Sequence, residues 1–432
     1  MNENRNKKRL EISSIIAALF IFQYSLLIPV MHYVRASLLV GASGIVLVVA
    51  MIIVNNRLTI DQPSLMVLIA LAALMTLKMF IDGTDAKIFI NFLMIAIPPI
   101  VVFSYRFDMG TFLRWGYRLS IANFVVLCWT PFFGPEVSYM RFGYGMLLTV
   151  IFMYLGLMYF PKKNPEEDLE KAENITVSKY IKTKKHVKKS KAARKRTATI
   201  VFRVVLLALS GVETLIYGSR GAMFVILAFV ALDRLLINKG KFLSNAVLLI
   251  AGFVAIFNLD KILQLFIDLG KRLNANTYSL RKYQYQLKYG LEEASSGRTH
   301  LYSAALKTIG QNPLLGAKMI IYDSDTLYVH NLFLQVGRDL GIVPMLFSVL
   351  FVVFCLYIFW SDKYKTDEKI VSLLLFSVSV VRLMISSNVW ERPEFWAELC
   401  FVFVLWRQRR EETEPEAEEE SPILKRAREF IR

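Results

Sequence analysis

Three short clusters in the chain combine residue types that bind anions or move protons. The first is Tyr217-Gly218-Ser219-Arg220-Gly221. A guanidinium is a planar fork of N–H donors, and the flanking glycines let backbone approach an anion closely, so this cluster suits a phosphate group. Glu213, seven residues earlier, falls near the same helical face and is expected either to orient Arg220 or to neutralise it. The second cluster is Ser295-Ser296-Gly297-Arg298-Thr299, at a loop-to-helix transition, followed by Asn312-Pro313-Leu314-Leu315-Gly316. The third is His330-Asn331, reached through Asp323, Ser324 and Asp325, where an imidazole can serve as a base near neutral pH. Each residue also has a plainer reading: Arg220 as a snorkelling anchor, Arg298 as a solvated residue at a helix start, and His330 as a structural histidine.

Other ionisable residues enter apolar runs. Arg382 and Glu398 lie within such runs, with Glu391, Arg392 and Glu394 in the turn between them. A charge at membrane depth costs several kcal/mol when it faces lipid, so these groups imply either a wet polar cavity or structural pairing, for instance of Arg382 with Glu398.

The elements that must position these clusters follow from hydropathy. The 432 residues are 55% hydrophobic yet carry a formal charge of +17, with mean hydropathy +0.44. That combination excludes an ordinary soluble domain, and it means that the charge is concentrated between apolar blocks. Apolar runs of near-spanning length cover Ile12–Met31, Ala36–Val54, Ser64–Phe80, Ile88–Ser104, Leu119–Phe133, Phe142–Phe160, Ile200–Tyr217, Ala222–Ile237, Phe242–Leu259, Gly341–Trp360, Ile370–Ser387 and Phe395–Trp406. The chain is therefore expected to be an all-α polytopic membrane protein of about twelve transmembrane helices, with one large helical outer loop between spans nine and ten. The first run follows Arg5, Lys7, Lys8 and Arg9 and is too long for a signal-peptide core, so it reads as an uncleaved signal anchor.

Short loops rich in Lys and Arg face the cytoplasm. With the N-terminus inside, Arg106, Arg114, Arg118, Lys239, Lys241, Lys363, Lys365, Lys369, Arg407, Arg409 and Arg410 all fall inside. The thirteen basic residues of Pro161–Thr199 join them, and that segment suits anionic cytoplasmic lipid rather than nucleic acid. Each short outer loop then holds about one basic residue: Arg35, Lys87, Arg141, Arg220 or Arg392. This orientation places both termini in the cytoplasm and puts Arg220, Arg298 and His330 on the outer side.

The organisation is then a six-helix membrane part over 1–160, a basic cytoplasmic loop over 161–199, transmembrane helices seven to nine over 200–259 and an outer loop over 260–340. Transmembrane helices ten to twelve follow over 341–406, with a charged cytoplasmic tail over 407–432. In the outer loop, helical stretches are expected around Leu263–Leu273, Tyr278–Leu291 and Thr299–Ile309, ended by the Asn312-Pro313 breaker. The segment Pro422–Arg432 has the pattern of an interfacial helix. Cys128, Cys355 and Cys400 lie far apart in apolar runs, with neither a disulfide framework nor a zinc spacing. No internal repeat of sequence or hydropathy is evident.

Taken in order, Ser219-Arg220-Gly221, Ser296-Gly297-Arg298, Asn312-Pro313-Leu314-Leu315-Gly316 and His330-Asn331 with Leu340-Gly341-Ile342 resemble the O-antigen polymerase and O-antigen ligase family. The resemblance covers Gly218 to Gly341 and extends to the layout of spans and large outer loop. It implies a bacterial inner-membrane glycosyltransferase that uses glycans carried on undecaprenyl diphosphate at the outer face, without nucleotide sugar, metal or cofactor. Carried over by position, Arg220 and Arg298 match the diphosphate-binding arginines, and His330 matches the residue that activates the acceptor hydroxyl. Glu213, Asn331, Arg338 and Arg382 are the supporting residues. Where the family often has an acidic or neutral residue after its His-Asn pair, this chain has Gly337-Arg338-Asp339, so a third cation is expected at the site. Arg203 alone could stand for a further family arginine, but it lies near the cytoplasmic end of its span, and that role is not carried over.

The activity so implied is polymerisation of lipid-linked oligosaccharide repeat units into O-antigen, capsule or exopolysaccharide. A ligase delivering the glycan to a lipid A core would use the same donor and the same residues. A flippase for lipid-linked oligosaccharide would need the cationic cavity but no base. The expected partners are membrane lipids and other polysaccharide-assembly proteins such as a flippase and a chain-length regulator, with no nucleic acid.

Overall fold

The computed structural model describes residues 2–31, 36–133, 138–160, 179–239, 245, 258–289, 298–320 and 328–413. Among them the regular structure is entirely helical. The helices used below are α1 (Asn2–Leu27), α2 (Ala36–Asn55), α3 (Gln62–Ile81), α4 (Ala86–Ser104), α5 (Met109–Leu127), α6 (Tyr139–Met158), α7 (Lys179–Tyr217) and α8 (Arg220–Leu232). They continue with α9 (Leu259–Arg272), α10 (Tyr278–Tyr289), α11 (Arg298–Gln311), α12 (Leu332–Leu340), α13 (Ile342–Trp360), α14 (Thr366–Phe376) and α15 (Pro393–Thr413).

Short polar residues start many of these helices. Asp61, Asp85, Asp108, Ser138, Ser219 and Asn331 each accept a hydrogen bond from a backbone N–H of the first turn. Such a cap satisfies a donor that has no partner within the helix. Asp108 moves the start of α5 to Met109, ten residues before the expected Leu119, so Arg114 and Arg118 are helical rather than in a loop.

Six described helical segments are long and apolar enough to cross a membrane: Asn4–Leu27, Gln62–Ile81, Ala86–Ser104, Tyr139–Met158, Thr197–Tyr217 and Ile342–Trp360. Leu39–Asn55 is apolar but shorter. The other expected spans differ for identifiable reasons. α5 carries Arg114 and Arg118, α8 passes into a π-turn at Asp233–Ile237, α14 passes into another at Ser377–Val381, and α15 contains Glu394, Glu398 and Arg407. The run Phe242–Leu259 lies almost wholly outside the described residues, as do Pro161–Ser178 and Glu414–Arg432, including the expected interfacial helix.

The basic segment expected as a loop is helical from Lys179, where α7 begins. With 39 residues, α7 is about 58 Å long, roughly twice the hydrocarbon thickness of a bilayer. Its basic first half therefore lies beyond any bilayer that its apolar half crosses.

Packing divides the helices into a centre and a rim. Every residue of α6 from Phe142 to Gly156 is buried. Around it pack α1, α5, α7 and α8, with α4 against α15 beside them. By contrast α3, α7 and α13 leave most of their apolar surface exposed, through Met66, Ile69, Phe80, Val201, Phe202, Leu346 and Leu350. Contiguous apolar surface of this kind is a liability in water and is satisfied by lipid chains. At one end of the bundle, ion pairs join Arg407 to Asp61 (3.0 Å) and Arg409 to Glu368 (2.5 Å). At the other end lie the Gly218–Arg220 turn and the corner between α12 and α13.

That corner is clamped. Lys78, fully buried near the end of α3, donates to the carbonyls of Leu315 (2.9 Å) and Ala317 (2.8 Å) and pairs with Asp82 at 2.7 Å. The same loop donates from Ala317 N–H to the Arg338 carbonyl and accepts from Ile342 N–H at the Pro313 carbonyl, each at 2.7 Å. Gly341 has φ of +91°, and a Cβ there would lie 2.3 Å from the Leu314 carbonyl oxygen. Only glycine fits so close a crossing.

Candidate functional site

A cavity of about 150 Å³ lies where the α7–α8 turn, α6, α10, the start of α11, His330 and the Ile385–Ser386 segment meet. Arg220, Arg298 and His330, 110 residues apart at their extremes, line it together. The lining also includes Tyr139, Tyr144, Ser219, Lys282, Tyr283 and Ser386. Three of these groups are permanent cations, and none of the described lining residues is a carboxylate.

Each cation is held by a helix start or a roof helix. Arg220 is the first residue of α8, whose N-cap Ser219 accepts from Ala222 N–H at 3.3 Å. Arg298 is likewise the first residue of α11. The positive end of a helix dipole thus adds to the charge of each guanidinium. Arg220 and Arg298 are near enough to repel one another. Lys282 comes from α10, which rests on α7 and α9 through Leu280, Ile216, Leu263 and Ile267.

The turn that presents Arg220 is built by close backbone approach. A Cβ on Gly143 of α6 would lie 2.4 Å from the Ser219 nitrogen, and one on Gly218 would lie 2.3 Å from the Thr214 carbonyl oxygen. A Cβ on Gly221 would lie 2.4 Å from the Tyr144 hydroxyl. The glycines around Arg220 therefore let the turn sit down on α6.

His330 has φ of +58°, in the left-handed region that non-glycine residues seldom occupy. Its ring packs on Tyr328 at 4.1 Å between centroids, and its backbone carbonyl accepts from the Tyr302 hydroxyl at 3.3 Å. Nδ1 is buried with no hydrogen-bond partner among the described residues. Burial, with the Arg298 charge adding to it, pushes the imidazole down from 6.5 to about 4. The ring is therefore neutral at pH 7 and carries an unused lone pair or proton.

No family model matches the chain, and no curated protein matches it.

Of the four supporting residues expected, none lines the cavity, and each has a different occupation. Asn331 is the N-cap of α12, its Oδ1 accepting from Leu334 N–H at 3.1 Å. Arg338 is turned onto the buried Asp339 at 2.7 Å, so the expected third cation is not Arg338. Asp339 also accepts from Trp390 Nε1 at 2.8 Å, and it is this buried carboxylate that claims the arginine. Glu213 lies near the Cys128 thiol, with Oε2 unpartnered among the described residues. The helical-face argument for Glu213 fails because α7 ends at Tyr217, before Arg220.

Arg382 is buried behind the cavity wall. Its guanidinium lies 4.0 Å from the centre of the Tyr144 ring and pairs with Glu394 at 3.6 Å. The expected partner, Glu398, instead accepts from the Ser372 hydroxyl at 3.0 Å and lies 3.6 Å from the Cys355 sulfur. One helical turn along α15 separates the two glutamates, and only Glu394 is level with Arg382. Arg382 thus supports Tyr144, and Tyr144 packs on Gly221.

Sequence reasoning missed Lys282, Tyr283, Tyr139 and Tyr144. A signal was present for the first two, since Ser279, Lys282 and Tyr283 share a face of the expected helix at i, i+3 and i+4 spacing. Nothing in the sequence marks Tyr139 or Tyr144, which reach the cavity through the packing of α6. As built, the cavity suits a ligand bearing more than one negative charge, beside a neutral base within the same walls.

Proposed function

We propose that this protein is a membrane glycosyltransferase that polymerises polyprenyl-diphosphate-linked oligosaccharide repeat units into a surface polysaccharide. It works at the outer face of the bacterial cytoplasmic membrane, with both termini cytoplasmic. The supporting observation is the convergence of Arg220, Arg298 and Lys282 with a neutral His330 in one cavity whose described lining has no carboxylate.

The chemistry follows from that arrangement. The hydroxyl oxygen of the acceptor sugar attacks the anomeric carbon of the donor glycan. The bond from that carbon to the diphosphate oxygen breaks, and its electron pair stays with the diphosphate. His330 takes the acceptor proton, an action that contributes roughly 10² to 10⁴ in rate. Negative charge grows on the departing oxygen, and preorganised guanidinium donors in a site of low dielectric stabilise it as it forms. Once the diphosphate binds, its charge offsets that of Arg298, so His330 becomes a better base with donor present.

The test is purified protein in lipid nanodiscs, supplied with lipid-linked repeat units. Wild type is expected to build a ladder of longer lipid-linked glycans, and His330→Ala to build none while still binding the donor. A parallel vesicle assay follows transfer of the same units across the bilayer. Translocation without any new glycosidic bond would replace this reading with that of a flippase. Extension that proceeds only when a lipid A core is supplied as acceptor would make the protein a ligase.

A further inference from the structure

Beyond the residues it lends to the cavity, helix α10 carries three tyrosines that do not line it. Tyr278, Tyr285 and Tyr289 are each at least half exposed. At about 100° per residue they fall within roughly 20° of one line along the helix, which runs about 16 Å. Tyr285 and Tyr289 are in contact at 4.4 Å between centroids, with their planes tilted by 36°. At the other end of the row, Tyr278 contacts Tyr139 at 5.8 Å, and Tyr139 is a wall of the cavity. The row therefore begins at the mouth of the site.

We propose that this tyrosine row is a binding track for the glycan chain, resting on the function proposed above. It holds sugar units beyond the one that reacts. A tyrosine offers a flat ring for the C–H face of a sugar and a hydroxyl for its polar edge, and its few rotamers lose little entropy on binding.

An anchor in the membrane interface is the competing use of exposed tyrosines. The placement of aliphatic residues argues against it. Leu280 and Leu287 lie about 180° to 200° around α10 from Tyr278. Leu280 is buried on the bundle, and Leu287 is exposed beside it. On the neighbouring α9 and its C-cap, Leu265, Leu269 and Leu273 form an exposed aliphatic strip at i, i+4 and i+8. The exposed aliphatic strip for lipid contact is thus on α9, while on α10 the tyrosines lie opposite the leucine that packs on the bundle. An uncharged polysaccharide needs rings and hydroxyls rather than cations, and the row consists of those groups.

The probe is the oligosaccharide freed from its lipid diphosphate by mild acid, taken from cells that make this protein. It is titrated against the full chain in nanodiscs, in a His330→Ala background so that binding is read without turnover. Replacing the three tyrosines together by Ala or by Leu is expected to weaken binding about tenfold or more, whereas Phe at all three stays within about threefold. In the active background the Ala and Leu variants should still form the first glycosidic bond but make shorter polymers. Equal binding by the Leu variant and wild type would overturn the track. So would unchanged oligosaccharide binding with loss of affinity for phosphatidylglycerol vesicles, which would make the row an interface anchor. These outcomes are separate from the absence of any glycosidic bond in wild type, which is a failure of the proposed activity instead.

Discussion

Replacing Arg298 by Gln should move the acid limb of activity upward. His330 is held near 4 first by burial and then by the Arg298 charge. At pH 7 a group with that value is roughly 0.1% protonated, whereas an unperturbed histidine is roughly a quarter protonated. The working form is the neutral ring, so activity is present above the folded-state value and lost as pH falls through it. Removing Arg298 removes the second cause and leaves the first, so the limb in kcat/KM should rise but stay below 6.5. In wild type the limb in kcat should lie above that in kcat/KM, because bound diphosphate offsets the guanidinium. The assay is the initial rate of bond formation from pH 3.5 to 8, read by limb position rather than amplitude, since Arg298→Gln will also weaken donor binding. An independent reading is the Cε1 chemical shift of labelled histidine. The chain has four histidines, so His330→Asn suffices for assignment. Stability should follow the same proton: between 6.5 and about 4 the unfolded chain binds it and the folded chain does not, so stability falls as pH drops through that window. A wild-type limb at or above 6.5, or one that stays in place in Arg298→Gln, would refute the reasoning.

Arg220→Lys keeps the charge but loses the two-pronged donor geometry, and turnover of lipid-linked donor should fall by roughly 10² with the protein still folded. Lys78→Met leaves the buried carbonyls of Leu315 and Ala317 without a donor. The cost should be about 2 to 4 kcal/mol, measured as a lower melting temperature together with faster proteolysis in the loop over 312–317. Glu394→Gln leaves Arg382 buried beside Tyr144 without its counter-ion, which should cost about 3 to 5 kcal/mol. Thermal unfolding in detergent tests this, and Arg382→Met in the same background should recover part of the loss.

The parts of this fold that were legible in sequence are those with a local cause. Apolar runs marked the six segments now seen to be long enough to span, and periodicity placed α9, α10 and α11 within a few residues of Leu263, Tyr278 and Thr299. The position of Arg220 in a turn was legible because two apolar runs leave only a short connection for it. Where a boundary depended on a cap or on charge tolerance, the reading slipped. Asp108 starts α5 early, and the basic stretch after Lys179 proved compatible with helix, since lysine and arginine are good helix formers. Partners across the fold were not legible at all. Of the nearest matches in sequence, Glu398 for Arg382 is displaced by Glu394, which packing brings closer, and Glu213 for Arg220 is lost because α7 ends at Tyr217.

The division of labour within the motif residues is the more general point. Ser219 and Asn331 spend their polar atoms capping helices, Gly218, Gly221 and Gly341 permit backbone crossings, and Asn312–Gly316 receives the Lys78 clamp. Arg338, the most conspicuous cation near His330 in sequence, is consumed by Asp339. What remains to line the cavity is a small set of side chains, and two of them, Arg220 and His330, begin or border a helix that Ser219 or Asn331 caps. Most residues of these short motifs thus serve as scaffolding, and those left to line the cavity are two arginines and a histidine. The cation that completes the set, Lys282, sits on α10, outside every motif, where the tyrosine row begins. On the function proposed above, variation along α10 is expected to alter what the site accepts without disturbing the frame that holds Arg220, Arg298 and His330 together.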